Sequence, residues 1–219
     1  MSIEANLKSI KADIPDEISL VAVSKTKPLE DIMAAYETGH RIFGENKVQE
    51  MVEKWEKLPK DIEWHMIGHV QRNKVKYMAE FVGLIHGVDS LKLLKEIDKQ
   101  AKKYQRIIDC LLQIHIAEED TKFGFDVNEV NEMLHSNEFK GLENINIIGL
   151  MGMATFTENE AQIRREFKQL KSLYDTLKKS MSELSILSMG MSGDYRIAIE
   201  EGSTMVRIGS SIFGARNQH

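Results

Sequence analysis

A single cysteine, Cys110, leaves this 219-residue chain without a partner for an internal disulfide. It sits in the apolar run Ile107–Ile116, where a buried structural thiol is expected rather than a nucleophile. Three prolines (Pro15, Pro28 and Pro59) and no stretch rich in glycine and serine give no sign of a linker. No uncharged apolar run approaches the ~20 residues that span a bilayer. Met1–Asn6 lacks a charged segment followed by an apolar one, so no secretory signal is read. With 29 basic against 34 acidic residues and no basic block, the electrostatic footprint of a nucleic-acid binder is missing. The expectation is a cytoplasmic monomer with no membrane and no nucleic-acid partner. Also absent are the Gly-x-Ser-x-Gly elbow, the Walker loop and Gly-x-Gly-x-x-Gly. His65 and His69 have the spacing of a helical zinc pair, but their segment reads as a strand running into a turn. A strand sets them roughly 13 Å apart, in four steps of ~3.3 Å, too far for one ion. No metal is expected.

What is present is a sizeable apolar fraction, 42%, enough for one core and one domain over residues 1–219. Short apolar runs alternate with longer helical patterns. Strands are expected at Ile18–Ser24, Arg41–Gly44, Glu63–Ile67, Leu84–Val88, Ile107–Ile116, Ile145–Met151, Leu184–Ser188 and Met205–Ile208. Helices are expected at Leu29–Thr38, Lys47–Lys57, Asn73–Phe81, Leu91–Tyr104, Val127–His135, Glu160–Met181 and Tyr195–Glu201, with one more, Met1–Ile14, ahead of the first strand. Pro28 suits a first helical turn, where its missing N–H costs nothing. In Glu160–Met181 the residues Ile163, Phe167, Leu170, Leu173, Tyr174 and Leu177 recur at three and four, a core-facing stripe. Eight strand–helix units predict a (β/α)8 barrel, with a doubly wound open sheet as runner-up. At about 27 residues per unit, the chain lies near the lower size limit of that fold.

Two loops carry the strongest chemical signal. Leu187–Asp194 leaves the seventh strand through Gly190 and Gly193, with Ser192 between them, and enters a helix. Val206–Ser211 leaves the eighth strand through Gly209 and Ser210. Barrels hold phosphates with the loops after strands seven and eight, so an anion site is favoured over two ordinary tight turns. Arg207 interrupts the eighth strand on the same face as Met205. A rim arginine paired with a carboxylate and an arginine aimed into the barrel mouth are equally compatible with that pattern. Lys25 stands at the exit of the first strand, where barrel chemistry occurs. Backed by Val21 and Val23, a lysine there can be desolvated and its pKa lowered from ~10.4, as imine formation requires. Lys27, one step before the helix, is expected to be solvated.

Phe43–Glu50, Trp64–Lys74, and Leu187–Asp194 followed by Glu201–Arg216 resemble the pyridoxal-phosphate homeostasis proteins. The similarity continues through Val21–Lys25, His86–Ser90, Thr121–Phe125 and Gly149–Met153. Two positions depart from the family pattern: Lys47, where Tyr is usual, beside Asn46, and His115, where Asn is usual. The resemblance implies a barrel like the N-terminal domain of alanine racemase (the type III fold of these cofactor enzymes), holding pyridoxal 5′-phosphate (PLP). It implies that Lys25 forms the internal aldimine and that Ser192, Gly193, Gly209 and Ser210 hold the phosphate. Arg207 would face the pyridine nitrogen, Asn46 would lie beside the cofactor, and Met189 would pack near its ring.

Two functions are compatible with such a site. One is a non-catalytic carrier that buffers PLP and supplies it to PLP-dependent apo-enzymes; the other is a small amino-acid racemase. Related racemases draw one acid–base group from a second domain and a partner subunit. The sequence stops soon after its eighth strand, so that domain is expected to be missing. An arginine at the pyridine nitrogen also weakens the cofactor as an electron sink, and an uncovered face gains little from desolvation. The carrier is therefore the expected function. Ala117–Phe125, polar in its first half and ending in Gly124 as a hinge, is either a solvated connector or a release loop in which Lys122 meets the departing cofactor.

Overall fold

Ser2 opens the fold by accepting the Ala5 N–H on its hydroxyl, which starts α1 (Ile3–Asp13) ahead of the sheet. The computed structural model describes residues 2–118 and 123–215. Strand and helix then alternate. In order come β1 (Ser19–Val23), α2 (Leu29–Glu37), β2 (Ile42–Glu45), α3 (Val48–Lys57), β3 (Glu63–Met66), a 3₁₀ turn (Arg72–Lys74) running into α4 (Val75–Met78), and β4 (Leu84–Val88). They are followed by α5 (Leu91–Lys103), β5 (Ile108–Gln113), α6 (Val127–His135), α7 (Asn137–Lys140), β6 (Ile145–Met151), α8 (Glu160–Lys178), β7 (Ile186–Ser188), α9 (Tyr195–Glu200), β8 (Met205–Ile208) and α10 (Ser210–Phe213). The eight strands are parallel and close in sequence order, β8 pairing back onto β1 with Val21 opposite Arg207. This is the expected (β/α)8 barrel, not the open sheet.

Strand parity divides the apolar residues into two layers. Inside the barrel, Val21, Leu84, Leu111, Met151 and Met205 form one cluster. Their neighbours Ala22, Phe43, Trp64, Ile85 and Cys110 face outward into a larger layer beneath the helices. The stripe expected on α8 is buried as expected, Ile163 through Leu177. Cys110 is fully buried, and burial pushes its thiol far above the ordinary value, so it is inert packing. The interior is tight: at Gly149, on β6, a Cβ would lie 1.9 Å from the Ile186 carbonyl oxygen of β7.

Several boundaries shift. The start of α2 does not: the helix begins at Leu29 as expected, with Pro28, in extended backbone, directly before it. The apolar run to Ile116 outlasts β5, which ends at Gln113, because Ile114 and Ile116 bury their side chains beyond the regular ladder. The helix expected over Asn73–Phe81 shrinks to four α-helical residues, since Phe81 and Val82 both donate to the Met78 carbonyl. The short α7 and α10 had no counterpart in the sequence reading. Of the polar loop, residues 119–122, and with them Lys122, lie outside the described residues. Gly124 has a φ of 118°, and Phe125 is bonded on both sides of it: its N–H reaches the Gln113 carbonyl at 2.8 Å, and its own carbonyl accepts the His115 N–H at 3.0 Å. The end read as a hinge is therefore anchored.

Candidate functional site

A cavity of about 760 Å³ opens at the C-terminal ends of the strands. Of the eight residues singled out above, seven line it: Lys25, Asn46, Ser192, Gly193, Arg207, Gly209 and Ser210. Met189 does not. Parity turns Ile186 and Ser188 of β7 inward, so Leu187 and Met189 face the helices, and Met189 is fully buried in the outer core. Met191, two residues on, lines the cavity in its place. Of the two departures from the family pattern, Lys47 is exposed ahead of α3 and His115 is half-buried; neither is part of the cavity wall.

Lys25 leaves β1 on a turn that is held from below. Thr26 has a φ of 62°, a left-handed conformation that a β-branched residue adopts only when its surroundings impose it. Its N–H donates to Glu50 Oε1 at 2.5 Å, and the Lys27 N–H closes the turn on the Ser24 carbonyl at 3.1 Å. Behind the turn lies a buried charge cluster. Lys54 Nζ donates to Glu45 Oε1 at 2.6 Å, to Glu50 Oε1 at 2.7 Å and to the Ser24 carbonyl at 2.8 Å. The Ser24 hydroxyl also donates to Glu45 Oε1, while Glu45 Oε2 is buried with no hydrogen-bond partner. Burial pushes Glu45 up to about 7, against the pull of Lys54 and Ser24. Asn46 follows Glu45 directly, and its backbone rests on Gly68, where a Cβ would come within 2.4 Å of the Asn46 carbonyl oxygen.

The two glycine loops meet beside that turn, where a Cβ on Gly209 would lie 3.1 Å from the Val23 carbonyl oxygen at the end of β1. Gly190 has a φ of 101° and packs on Ala198, which a Cβ would approach to 2.7 Å. Gly193 faces open space. Ser192 is not the cap of α9; its hydroxyl accepts the Gly209 N–H at 3.3 Å and ties one loop to the other. Asp194 precedes α9 and accepts the Met191 N–H at 2.6 Å; burial raises its pKa. Lys27 is half-buried rather than solvated, and its ammonium donates to the carbonyls of Phe213, Gly214 and Ala215 at the end of α10.

Arg207 points into the barrel and is 3% exposed, which decides between the two readings of its position. It donates to the Ser188 hydroxyl and, through Nη2, to the Gly152 carbonyl at 3.2 Å. Burial draws its pKa down to about 10, opposed by Asp194, so the guanidinium stays charged at neutral pH. The sequence reading missed His69, Met191 and Asp194 in the cavity wall. His69 lies at the mouth, its Nδ1 3.1 Å from Asp89 Oδ2 and its ring 4.9 Å from that of Phe123. Phe123, Met153 and Phe156 make the lip apolar and exposed.

Among known proteins, the model of the alanine racemase N-terminal domain family matches residues 1–217. The pyridoxal phosphate homeostasis protein of Pasteurella multocida is 39% identical, with 99% of each chain covered. The solved structure of PipY from Synechococcus elongatus, with PLP bound, is 33% identical and superposes with a TM-score of 0.89 over 97% of this chain and 100% of that one. An alanine racemase from Clostridium difficile shares the fold at 16% identity and a TM-score of 0.81, over 99% of this chain and 56% of its own. The chain belongs to the alanine racemase N-terminal domain family and, within it, to the pyridoxal phosphate homeostasis proteins.

Proposed function

We propose that this chain is a single barrel domain over residues 1–219 that binds PLP and serves PLP homeostasis as a carrier, without catalytic turnover of its own. The observation that carries the reading is one cavity lined by a lysine, a buried guanidinium and two hydroxyl-bearing glycine loops. Those groups match PLP in kind. Lys25 is the amine that would hold the aldehyde end of the cofactor. Ser192, Gly193, Gly209 and Ser210 receive the phosphate, with open space at Gly193 for its oxygens. Arg207, charged and fixed from behind, would face the ring nitrogen, and Asn46 would flank the cofactor. PLP supplies an electron sink when bound, and a cationic donor at its nitrogen keeps that nitrogen unprotonated and the sink weak. The relative that carries the homeostasis name is matched over 99% of its own length. No helix among the described residues is long and apolar enough to cross a membrane. We place the protein in the cytoplasm as a monomer, with PLP-dependent apo-enzymes as recipients.

The test is an absorption spectrum of the purified protein before and after borohydride, followed by mass analysis. The expected result is a visible band lost on reduction, with a stable adduct on Lys25, and no band in Lys25→Ala. An adduct on one other lysine in Lys25→Ala overturns the assignment. The racemase alternative has one observation in its favour, the His69–Asp89 pair at the mouth, and it is tested separately below.

A further inference from the structure

A line of polar side chains crosses the barrel interior, and the function proposed above uses only its last member. Glu63, the first residue of β3 and so at the N-terminal face, has Oε1 2.9 Å from His65 Nε2. His65 Nδ1 lies 2.9 Å from His86 Nε2, and His86 Nδ1 lies 2.9 Å from the Ser188 hydroxyl. That hydroxyl accepts from Arg207 in the cavity wall. His65, His86 and Ser188 are all buried, whereas the Glu63 side chain is 53% exposed. The line thus joins solvent at one end of the barrel to the cavity at the other, through inward positions of β3, β4, β7 and β8. Filling a barrel with polar groups is costly unless every one is paired.

The two ends dictate the direction. A guanidinium only donates, and a carboxylate only accepts. Burial, with His65 and Arg207 close by, holds His86 well below its ordinary value, so its ring is neutral. Two neutral imidazoles placed between these ends admit a single assignment that satisfies every contact. Arg207 donates to Ser188 Oγ, Ser188 O–H to His86 Nδ1, His86 Nε2–H to His65 Nδ1, and His65 Nε2–H to Glu63.

We propose that Glu63, His65, His86 and Ser188 form a directional hydrogen-bond relay that fixes both imidazole tautomers and positions the Arg207 guanidinium for an acceptor in the cavity. The acceptor is the ring nitrogen of PLP, a step that rests on the function proposed above. These four are positioning residues. Two of the guanidinium N–H directions are engaged by Ser188 and Gly152, which leaves the remaining donors to point at the ligand.

Long-range ¹H–¹⁵N NMR of the full chain without cofactor tests the relay, with the two rings assigned by substituting each histidine in turn. Both rings should show a protonated Nε2 and a bare Nδ1. Glu63→Gln keeps an acceptor at the outer end and should leave this pattern unchanged. Glu63→Lys offers only donors there and should move the proton to Nδ1 on both rings. An imidazolium or an Nδ1–H on either ring of the unsubstituted protein overturns the relay, as does an unchanged pattern in Glu63→Lys. The positioning role is read with PLP added. Glu63→Lys should shift the bound absorption band and weaken PLP about tenfold, the scale of one disturbed charged hydrogen bond, while Glu63→Gln stays within about twofold. Ser188→Ala breaks the line next to Arg207 and should shift the band as well; it decides the matter if Glu63→Lys does not fold. Switched tautomers with an unmoved band and affinity overturn positioning. Failure of every form, unsubstituted included, to take up PLP overturns the proposed function and the positioning with it, while the NMR pattern still decides the relay.

Discussion

Lys54→Met is the most informative single perturbation of the turn that carries Lys25. Methionine keeps most of the buried stem and removes only the ammonium. Three contacts go with it, to the Ser24 carbonyl, Glu45 and Glu50. Glu45 is then left fully buried with the Ser24 hydroxyl on Oε1 and nothing on Oε2. Breaking a buried pair from one side costs about 3–5 kcal/mol. In a chain of this length each kcal/mol moves Tm by about 2–4 °C, so the expected fall is about 6–20 °C. Denaturant melts give the same quantity, and adding Glu45→Gln should recover part of it, because the orphaned charge goes too. The pH dependence has a definite sign. Glu45 sits at about 7, above the ordinary 4.5, so ionising it opposes folding. Its contribution is full below about 4.5 and is lost as pH rises through the folded value. Without Lys54 to lower it, Glu45 rises further and the loss deepens, so the deficit of Lys54→Met against the unsubstituted protein should shrink from pH 8 to pH 5. A deficit under about 1 kcal/mol, strict additivity with Glu45→Gln, or a deficit that grows on acidification would refute the account.

Arg207→Gln should weaken PLP roughly ten- to hundredfold, the loss of a charged hydrogen bond of about 1.5–3 kcal/mol, and shift the bound absorption band while inorganic phosphate still competes. An unmoved band with phosphate competition lost would reassign Arg207 to the phosphate. Incubation of the PLP-loaded protein with L- or D-alanine in deuterated water should give little Cα exchange by mass spectrometry; fast exchange with both enantiomers, abolished in His69→Ala, would establish the racemase alternative. Gly68→Ala drives a methyl into the Asn46 carbonyl and should cost about 1–3 kcal/mol in denaturant melts, with PLP affinity falling as Asn46 moves. Unchanged stability would show that β2 and β3 have room to separate there.

The barrel was legible because its strands are short apolar runs at regular intervals and its helices carry stripes at three and four. Ends were less legible. Burial, not the ladder, makes Ile114 and Ile116 apolar, so the run past Gln113 looks like more strand. Val75, Met78, Ala79 and Val82 are all buried at helical spacing, yet the backbone closes over Met78 and the α-helix stops. Around the cavity, the position of Lys25 at a strand exit and of the glycines after β7 and β8 follow from topology alone. Met189 illustrates the limit: one residue of parity at the end of β7 separates the inward face from the outer core, and the strand is only three residues long.

What the sequence could not display is how the cavity residues are held. Lys25 is positioned by Thr26, Glu45, Glu50 and Lys54, drawn from the turn after β1, from β2 and from α3. Arg207 is positioned by Ser188, and through it by His86 and His65 on strands far earlier in the chain. Nothing in the spacing of Glu45 and Lys54 signals a pair, and His65 stands out in the sequence only for its spacing to His69, not for a contact with His86. The reason they pair here is dielectric. Each of these groups has been taken out of water, so each must find its partner inside, and the partners have to converge from separate strands onto the two groups that face the cavity. Both supports also reach outward, through the half-buried Glu50 on one side and the exposed Glu63 on the other. A carboxylate that keeps contact with water loses less of its solvation than a buried one would, and it can still take up the last hydrogen bond of a buried chain. On that argument the interior polar groups of this barrel are sustained from its surface, and charge reversal at Glu63 should be felt at Arg207 across the full depth of the sheet.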